Sequence, residues 1–303
     1  MIVQPPQDAP KTPKPPWLKV RFPTQSAYFS VSSLIEGGGL HTICRSARCP
    51  NISECWTRRT ATFLILGTVC TRGCAFCAVE KGAPQPPDPA EPEDVAAAAA
   101  KLDLAYVVVT SVTRDDLPDG GAGHFVETIR ALRRQRKDVR IEVLVPDFGG
   151  RAEPLTAVLA ERPEVLNHNL ETVERLYPAI GRPRANYRRS LEVLRQAKAA
   201  GAVTKSGLMV GLGETLEEIR EAFAGLRGAG CDLLTLGQYL QPTRTHVKAS
   251  RYVPPEEFDG LKAEALALGF AGVEAGPLVR SSFHAHELYA NLQHSRKEPA
   301  CGI

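Results

Sequence analysis

The chain has 303 residues, of which 43% are hydrophobic and 23% charged, and its formal net charge is +3. This composition is typical of a folded globular protein and excludes a disordered or fibrous one. The charge is too small to indicate nucleic-acid binding, and no apolar run reaches the ~18 residues of a membrane-spanning helix. The N-terminus has no export or organelle signal, so we expect a cytoplasmic chain, in which clustered cysteines favour metal binding or catalysis over disulfides.

The N-terminal segment is predicted to be an extension outside the main fold. Its first 15 residues are rich in proline and are expected to be extended or loose. Residues 16–60 show weak periodicity and contain Cys44, Cys49 and Cys55 in the stretch "CRSARCPNISEC". The extension therefore carries one of two cysteine groups in the chain.

From residue 61, apolar runs alternate with helical patterns. The runs occupy residues 61–69, 105–112, 141–148, 164–171, 204–212 and 233–240. The helical pattern after the fifth run begins with Thr215 as N-cap and Glu218 at the capping-box position. Buried strands separated by helices predict parallel βαβ units.

We therefore predict an α/β fold, a partial (β/α)6 barrel of the TIM type, with an open doubly wound sheet as the structural alternative. The predicted organisation is an N-terminal extension at 1–60, the barrel at 61–270 and a C-terminal extension at 271–303. The last segment holds a short apolar run at 271–278 and a final helical pattern.

Three cysteines lie within the eight residues "CTRGCAFC", at Cys70, Cys74 and Cys77. Zinc sites usually take four ligands and a redox dithiol takes two, whereas three thiolates leave one iron of a [4Fe–4S] cluster open. The loop follows the first predicted strand, at the end of a barrel where active sites lie. We favour a cluster here over a zinc knuckle or a purely structural cluster.

The other cysteines are interpreted against this first triad. Cys44, Cys49 and Cys55 form a second group of three and predict a second cluster, while a zinc site completed by a histidine such as His41 is the alternative. Cys231 and Cys301 fit neither triad. Cys231 is predicted to be a small buried hydrophobe, and Cys301 lies in a tail that we expect to be loose.

With Phe76 before its last cysteine, the first triad resembles the signature of the radical S-adenosylmethionine enzymes. The chain as a whole resembles the lipoyl synthases from about residue 15 to residue 296. The stretches that carry the resemblance include "PPWLKV", "CPNISECW", "TSVTRDDLPDGGA", "HNLETVERL", "TKSGLMVGLGET", "LTLGQYLQPT" and "GPLVRSSFHA". One departure is Phe283, where the family often has tyrosine, which keeps the ring and loses a hydroxyl.

The resemblance implies an enzyme, a sulfurtransferase that inserts two sulfur atoms at C6 and C8 of a protein-bound octanoyl-lysine. It implies two [4Fe–4S] clusters and S-adenosylmethionine, the source of a 5′-deoxyadenosyl radical, with the second cluster as the sulfur donor. Another radical enzyme of sulfur insertion and a non-catalytic cluster or zinc scaffold are the rival functions. The scaffold would bind metal without cleaving S-adenosylmethionine.

By resemblance, the ligands of the first cluster are Cys70, Cys74 and Cys77, and those of the second are Cys44, Cys49, Cys55 and Ser282. Ser281 is the less favoured choice for the last position, and the alternative from the residues alone is that both serines cap the final helix. The residues carried over to S-adenosylmethionine binding are Thr110, Ser111, Asp116, Gly120, Gly121, Asn169, Glu171, Lys205 and Gly211. Considered alone, the "DGG" glycines indicate a tight turn, and Asn169 and Glu171 suit a helix start.

The expected partners are octanoylated lipoyl carrier domains, of the acyltransferase subunit of a 2-oxoacid dehydrogenase or of the glycine-cleavage H protein. An electron donor and a protein that rebuilds the second cluster are also implied, and the chain is expected to be a monomer. Lys14, Lys19 and Arg21 either steer an acidic carrier domain or form an ordinary solvated surface.

Overall fold

The structure is a computed structural model, and it describes residues 14–20, 26–58 and 60–297, without the side chains of 295–297. The predictions made for the proline-rich start up to residue 13, for Arg21 and for Cys301 lie outside the described residues. Within them, no helix is both long enough and apolar enough to cross a membrane.

The described elements alternate as the apolar runs indicated. The strands are β1 (Thr62–Ile65), β2 (Val69–Cys70), β3 (Glu80–Lys81), β4 (Tyr106–Ser111), β5 (Arg140–Leu144), β6 (Val165–Asn167), β7 (Thr204–Val210), β8 (Leu233–Gln238) and β9 (Gly272–Gly276). The helices are α1 (Ser26–Gly37), α2 (Ile43–Ser46), α3 (Ile52–Thr57), α4 (Glu91–Lys101), α5 (Ala122–Gln135), α6 (Ala152–Ala160), α7 (Ala185–Ala199), α8 (Leu216–Gly228), α9 (Pro255–Ala267) and α10 (Ala285–Lys297). The predicted capping box at the start of α8 is present, with Thr215 and Glu218 bonded reciprocally.

The main sheet has seven parallel strands in the order β1-β4-β5-β6-β7-β8-β9. Each new strand is added on the same side of the previous one, as in a barrel. A doubly wound sheet instead reverses direction at a switch point. The predicted α/β class and the partial barrel are therefore confirmed, and the doubly wound alternative is wrong.

The barrel has one more strand than the six apolar runs indicated. The extra strand is β9, which pairs with β8 from Leu233↔Gly272 to Gly237↔Gly276. Its sequence, "GVEAG", is short and half-buried, so it lacks the continuous apolar character that marks an inner parallel strand. The C-terminal segment thus supplies an edge of the sheet.

The terminal segments meet across the open side of the sheet, between β1 and β9. Thr42 bridges to Phe63 of β1, which attaches the segment that leads into α2 to one edge. From the other edge, the carbonyl oxygen of Leu278 accepts a 2.6 Å hydrogen bond from the side-chain amide of Asn51. Arg58 at the end of α3 also lies 3.3 Å from Glu287 of α10. These contacts bring residues 43–58 and 278–287 together.

A buried polar cluster lies inside the barrel. The carboxylate of Glu142 accepts hydrogen bonds from the Lys205 ammonium at 2.9 Å, the Asn167 amide at 3.0 Å and the Tyr106 hydroxyl at 2.8 Å. Lys205 and Glu142 are both 0% exposed. Removing one member of a buried ion pair leaves the other charge without a partner, which is costly. The cluster therefore stabilises one relative arrangement of β4, β5, β6 and β7.

We expect Lys205→Met to lower the free energy of unfolding of the apoprotein by about 3–5 kcal/mol, because it leaves the Glu142 carboxylate buried without a cation. The control is Lys262→Met, which breaks a part-exposed pair with Glu274 at 3.6 Å and should cost under about 1 kcal/mol. Urea unfolding measures both. Equal losses in the two variants would contradict this role of the pair.

Candidate active site

A cavity of 970 Å³ opens at the carboxyl ends of the strands and along the open side of the sheet. Its walls include the second cysteine triad and Cys77 of the first. Ser281 and Ser282 close it from the C-terminal segment. The fold therefore gathers the second cysteine triad, Cys77 of the first and the serine pair around one space.

The first cysteine loop runs between β2 and β3 and is held by its backbone on three sides. The amide of Thr71 donates to the carbonyl of Thr113 at 3.0 Å, after β4. Ala75 donates to Ile180 at 2.9 Å and accepts from Val247 at 3.1 Å. Since these partners follow three different strands, the loop conformation depends on the assembled barrel.

Nitrogen donors surround the sulfurs of this loop. The backbone N–H groups of Arg72 and Thr113 each lie 3.4 Å from Cys70 Sγ. The Arg182 Nε–H lies 3.3 Å from Cys74 Sγ. Donors and cations of this kind stabilise the thiolate, which is the form that binds metal. The loop thus fits a group held by three thiolates.

Burial raises the pKa of Cys77 to about 11, and the neighbouring Cys74, the Glu171 carboxylate and Cys70 add to the rise. A thiol in this environment ionises when a positive charge binds beside it. The raised pKa of Cys77 therefore also fits a site that a metal cluster fills.

The second triad lines the cavity from α2, the following loop and α3. Burial, followed by repulsion from Cys49, raises the pKa of Cys44 to about 11. Burial and repulsion from Cys44 and Cys49 raise that of Cys55 to about 12. Burial also raises the pKa of Cys49, with partial relief from the Asn51 amide and the Arg280 cation. The three thiols are close enough for their charges to interact, as expected for ligands of one shared group.

In the described ranges, 14–20, 26–58 and 60–297, no three or more His, Cys, Asp and Glu side chains are gathered closely enough to hold a single metal ion. A cubic cluster takes each thiolate on a separate iron, so its triad is wider than a one-ion zinc site. The zinc site completed by His41 is thus not formed by the described side chains. The seven described cysteines are all free.

The two serines differ in their hydrogen bonding. Ser281 Oγ donates to Asn169 Oδ1 at 2.9 Å. In the part of the chain that the structure describes, Ser282 makes no side-chain hydrogen bond, although it lines the cavity. Gly207 leaves the room for the Ser281 contact, because a Cβ there would stand 2.8 Å from Asn169 Oδ1 and 3.1 Å from Ser281 Oγ.

Four of the residues carried over to S-adenosylmethionine binding lie at strand ends near the cavity. Thr110, Asn169 and Glu171 line it. The Ser111 hydroxyl is buried with no hydrogen-bond partner among the described residues. Glu171 has a left-handed φ of 71° and lies 3.8 Å from Arg182. Burial raises the pKa of Glu171, and Arg182 opposes that rise. A strained backbone and an unpaired polar group are features of binding sites.

The other five have partners within the protein and do not line the cavity. Asp116 pairs with Arg114 at 2.8 Å, and the Lys205 ammonium pairs with Glu142. A Cβ on Gly121 would meet Leu66 at 2.3 Å, and one on Gly211 would meet Gln238 at 2.2 Å. Gly120 has a φ of 65° and packs on Phe148. Contact of these five with S-adenosylmethionine stays a prediction.

Two residues beside the first triad were missed by the sequence analysis. His246, which from the sequence could be a loop residue or a site residue, places Nε2 at 3.0 Å from the Cys77 carbonyl and Nδ1 at 2.7 Å from Thr243 Oγ1. Arg182 contacts Cys74. Neither belongs to a motif with a metal-ligand or catalytic spacing, so only the folded chain places them here.

His168 anchors the segment that carries Asn169 and Glu171. Its Nδ1 lies 2.8 Å from the Val145 carbonyl and its Nε2 lies 3.0 Å from Ser190 Oγ. Burial lowers the pKa of His168 from 6.5 to about 4. The imidazole is therefore neutral, with Nδ1 donating and Nε2 accepting.

The chain is similar to several known proteins. The family model for the radical SAM superfamily matches residues 64–224. A lipoyl synthase of Chlorobium limicola is 53% identical over 91% of this chain and 95% of its own, and one of Symbiobacterium thermophilum is 55% identical over 90% and 86%.

Among solved structures, HydG, a maturase of the [FeFe]-hydrogenase, has a TM-score of 0.56 at 14% identity, covering 82% of this chain and 63% of that one. Coproporphyrinogen III oxidase from Escherichia coli, a radical SAM enzyme, has a TM-score of 0.51 at 15% identity, over 74% and 57%. At such identities these two structures show the shared fold alone.

His168 predicts a loss of stability in acid. Its folded pKa lies below its unfolded value of 6.5, so the unfolded chain takes up a proton that the folded chain refuses. The free energy of unfolding should fall as the pH drops from about 6.5 to about 4, by up to about 3 kcal/mol from this residue. Urea unfolding of the apoprotein across this range measures it. His168→Gln should flatten the slope and the exposed-site control His294→Gln should not; equal slopes in His168→Gln and the parent chain would refute this.

Proposed function

Since the chain belongs to the lipoyl synthase family of the radical SAM superfamily, we propose how its cavity performs that family's reaction. The product is a lipoyl group, made by inserting two sulfur atoms at C6 and C8 of a protein-bound octanoyl-lysine. The observation that carries the proposal is that the second cysteine triad, Cys77 of the first triad and Ser282 line one cavity. It occurs in a chain 53% identical over 91% of its length to a lipoyl synthase.

Cys70, Cys74 and Cys77 would hold a [4Fe–4S] cluster, and S-adenosylmethionine would bind beside it. When bound, this pair supplies a 5′-deoxyadenosyl radical that removes a hydrogen atom from an unactivated carbon. The protein orients the cofactor and the substrate and excludes water from the site. Thr110, Ser111, Asn169 and Glu171 are the polar groups near the cavity that are placed to hold the amino acid and nucleoside parts.

Cys44, Cys49 and Cys55, with Ser282 as fourth ligand, hold the second [4Fe–4S] cluster. When bound, this cluster supplies the inserted sulfur. The free hydroxyl of Ser282 supports its choice over Ser281, which is already bonded to Asn169. Oxygen is a harder ligand than thiolate and holds iron–sulfur clusters less well, which suits a cluster that gives up its sulfur.

The acyl chain enters the cavity between the two triads. Apolar side chains, among them Val108, Leu144 and Leu208, line the space in which a flexible octanoyl chain packs. Lys14 and Arg48 are also among its lining residues, whereas Arg58 is paired with Glu54 and Glu287. Lys14 and Arg48 favour an acidic carrier, an octanoylated lipoyl domain of a 2-oxoacid dehydrogenase or the glycine-cleavage H protein.

The rest of the proposal concerns the setting of the enzyme. It acts as a monomer in the cytoplasm, where free thiols persist. Its remaining partners are an electron donor and a protein that rebuilds the second cluster.

The experiment that tests the function is single-turnover mass spectrometry on anaerobically reconstituted protein with S-adenosylmethionine, a reductant and an octanoyl-lysine peptide. We expect 5′-deoxyadenosine and a peptide that gains two sulfurs and loses two hydrogens. Deoxyadenosine without a sulfur-bearing peptide would indicate another radical reaction. The absence of both, with both clusters intact, would favour the scaffold.

Cys44→Ala should retain the reductive cleavage of S-adenosylmethionine and abolish sulfur insertion, because it removes a ligand of the second cluster alone. Cys74→Ala should abolish both, because it removes a ligand of the first. Deoxyadenosine and lipoyl product are quantified in the same assay. Lipoyl product from Cys44→Ala would refute the donor role of the second triad. Cys231→Ala, at a buried thiol outside both triads, is the control.

Ser282→Ala should lower the iron and sulfide content of the second site, whereas Ser281→Ala should retain it and lose only a hydrogen bond worth about 1 kcal/mol. Iron, sulfide and electron paramagnetic resonance measurements on the reconstituted proteins compare the two variants. If Ser281→Ala were the one to lose the second cluster, the fourth ligand would be Ser281.

A further inference from the structure

Arg182 lies against the first cysteine loop and interacts with three of its neighbours. Its Nε–H points to Cys74 Sγ at 3.3 Å, and its guanidinium carbon lies 5.6 Å from the centre of the Phe76 ring. Its Nη2 is 3.8 Å from the Glu171 carboxylate. The side chain is only 19% exposed. The cation is thus enclosed between the thiol, an aromatic face and an acid.

The backbone fixes Arg182 in this place. The carbonyl of Ile180 accepts the Ala75 amide at 2.9 Å. Gly181 has a left-handed φ of 76°, and a Cβ there would stand 3.1 Å from the Gly73 oxygen and 3.3 Å from the Ala75 nitrogen. Residues 180–182 therefore pack directly on the loop, which sets the distance of the guanidinium from the sulfur.

The first triad is electrostatically asymmetric. Cys70 receives only backbone N–H groups, from Arg72 and Thr113. Among the described residues, Cys74 is the thiol of this triad with a charged side chain in hydrogen-bond contact. A charge-assisted bond is stronger than a neutral one, and shielding from water strengthens it further. Hydrogen bonds and charges at the ligand sulfurs are what set the reduction potential of an iron–sulfur cluster.

We propose that Arg182 is a positioning residue that raises the reduction potential of the group held by the first triad. The inference rests on the proposed function for the identity of that group. Reduction adds one electron from an external low-potential one-electron donor, with no bond made or broken. The added negative charge lies beside the guanidinium, so the cation stabilises the reduced state more than the oxidised one.

The test is a redox titration followed by electron paramagnetic resonance on reconstituted full-length protein. To isolate the first cluster, the second triad is replaced in a Cys44→Ala, Cys49→Ala, Cys55→Ala background. Arg182→Met removes charge and donor, Arg182→Gln keeps a donor, and Arg182→Lys keeps the charge. The matched control is Arg184→Gln, which removes an exposed cation two residues away.

We expect the one-electron reduction equilibrium to fall about tenfold in Arg182→Met, a shift of ~59 mV to more negative potential. Arg182→Gln and Arg182→Lys should shift less, and Arg184→Gln should not shift. If Arg182→Met fails to bind iron, the reduction potentials of Arg182→Gln and Arg182→Lys are compared with that of the parent chain instead.

An unchanged potential in the Arg182 variants would overturn the inference. Weaker binding of S-adenosylmethionine at an unchanged potential would overturn it too, and would assign Arg182 to the substrate carboxylate. A failure of the proposed function can be distinguished from a failure of this inference. The reduction potential is measured without octanoyl substrate, so its value does not depend on whether lipoyl product forms.

Discussion

The open side of the barrel is the constraint on which the rest of the structure depends. A parallel sheet that stops at seven strands leaves β1 and β9 as edges whose backbone groups are unpaired on one side, and such edges have to be covered. The segment that leads into α2 bridges to β1, while the turn after β9 and α10 bond to α3 and its neighbours. Covering the edges is also what builds the site. It brings Cys44, Cys49 and Cys55 from one end of the sequence to Ser281 and Ser282 from the other.

The two triads have different electrostatic settings. The sulfurs of the first are near backbone N–H groups and the Arg182 cation, on a loop that is half exposed. In the second triad Cys44 is buried, burial and Cys49 raise the pKa of Cys44, and burial, Cys44 and Cys49 raise that of Cys55. Buried thiolates depend for their charge balance on the metal that they bind. In the function that we propose, this contrast separates a first cluster that persists from a second cluster that is consumed.

The interior of the barrel is divided along its axis. Toward the amino ends of the strands, Lys205, Tyr106 and Asn167 all donate hydrogen bonds to the buried Glu142 carboxylate. Toward the carboxyl ends, Ser111, Asn169 and Glu171 leave polar atoms near the cavity. The two parts differ because the buried Glu142 carboxylate needs its partners inside the protein, whereas a binding site leaves polar groups available for its ligand.

The sequence by itself determined the fold class, and its resemblance to the lipoyl synthases indicated the reaction. Apolar runs such as "AYVVVT" predict buried parallel strands, and two groups of three thiols predict metal clusters, because both depend on spacing along the chain. It gave only a short apolar run at β9, which was not counted as a barrel strand, and it could not give the order of the strands, which excluded a doubly wound sheet. It also could not show that Lys205 is buried in an ion pair whereas Glu171 lines the cavity. Only the tertiary structure placed Arg182 on Cys74, 108 residues away in the chain, and left Ser282 free where Ser281 is bonded. These contacts join distant segments, and local pattern holds no information on which distant side chains the packing will bring together.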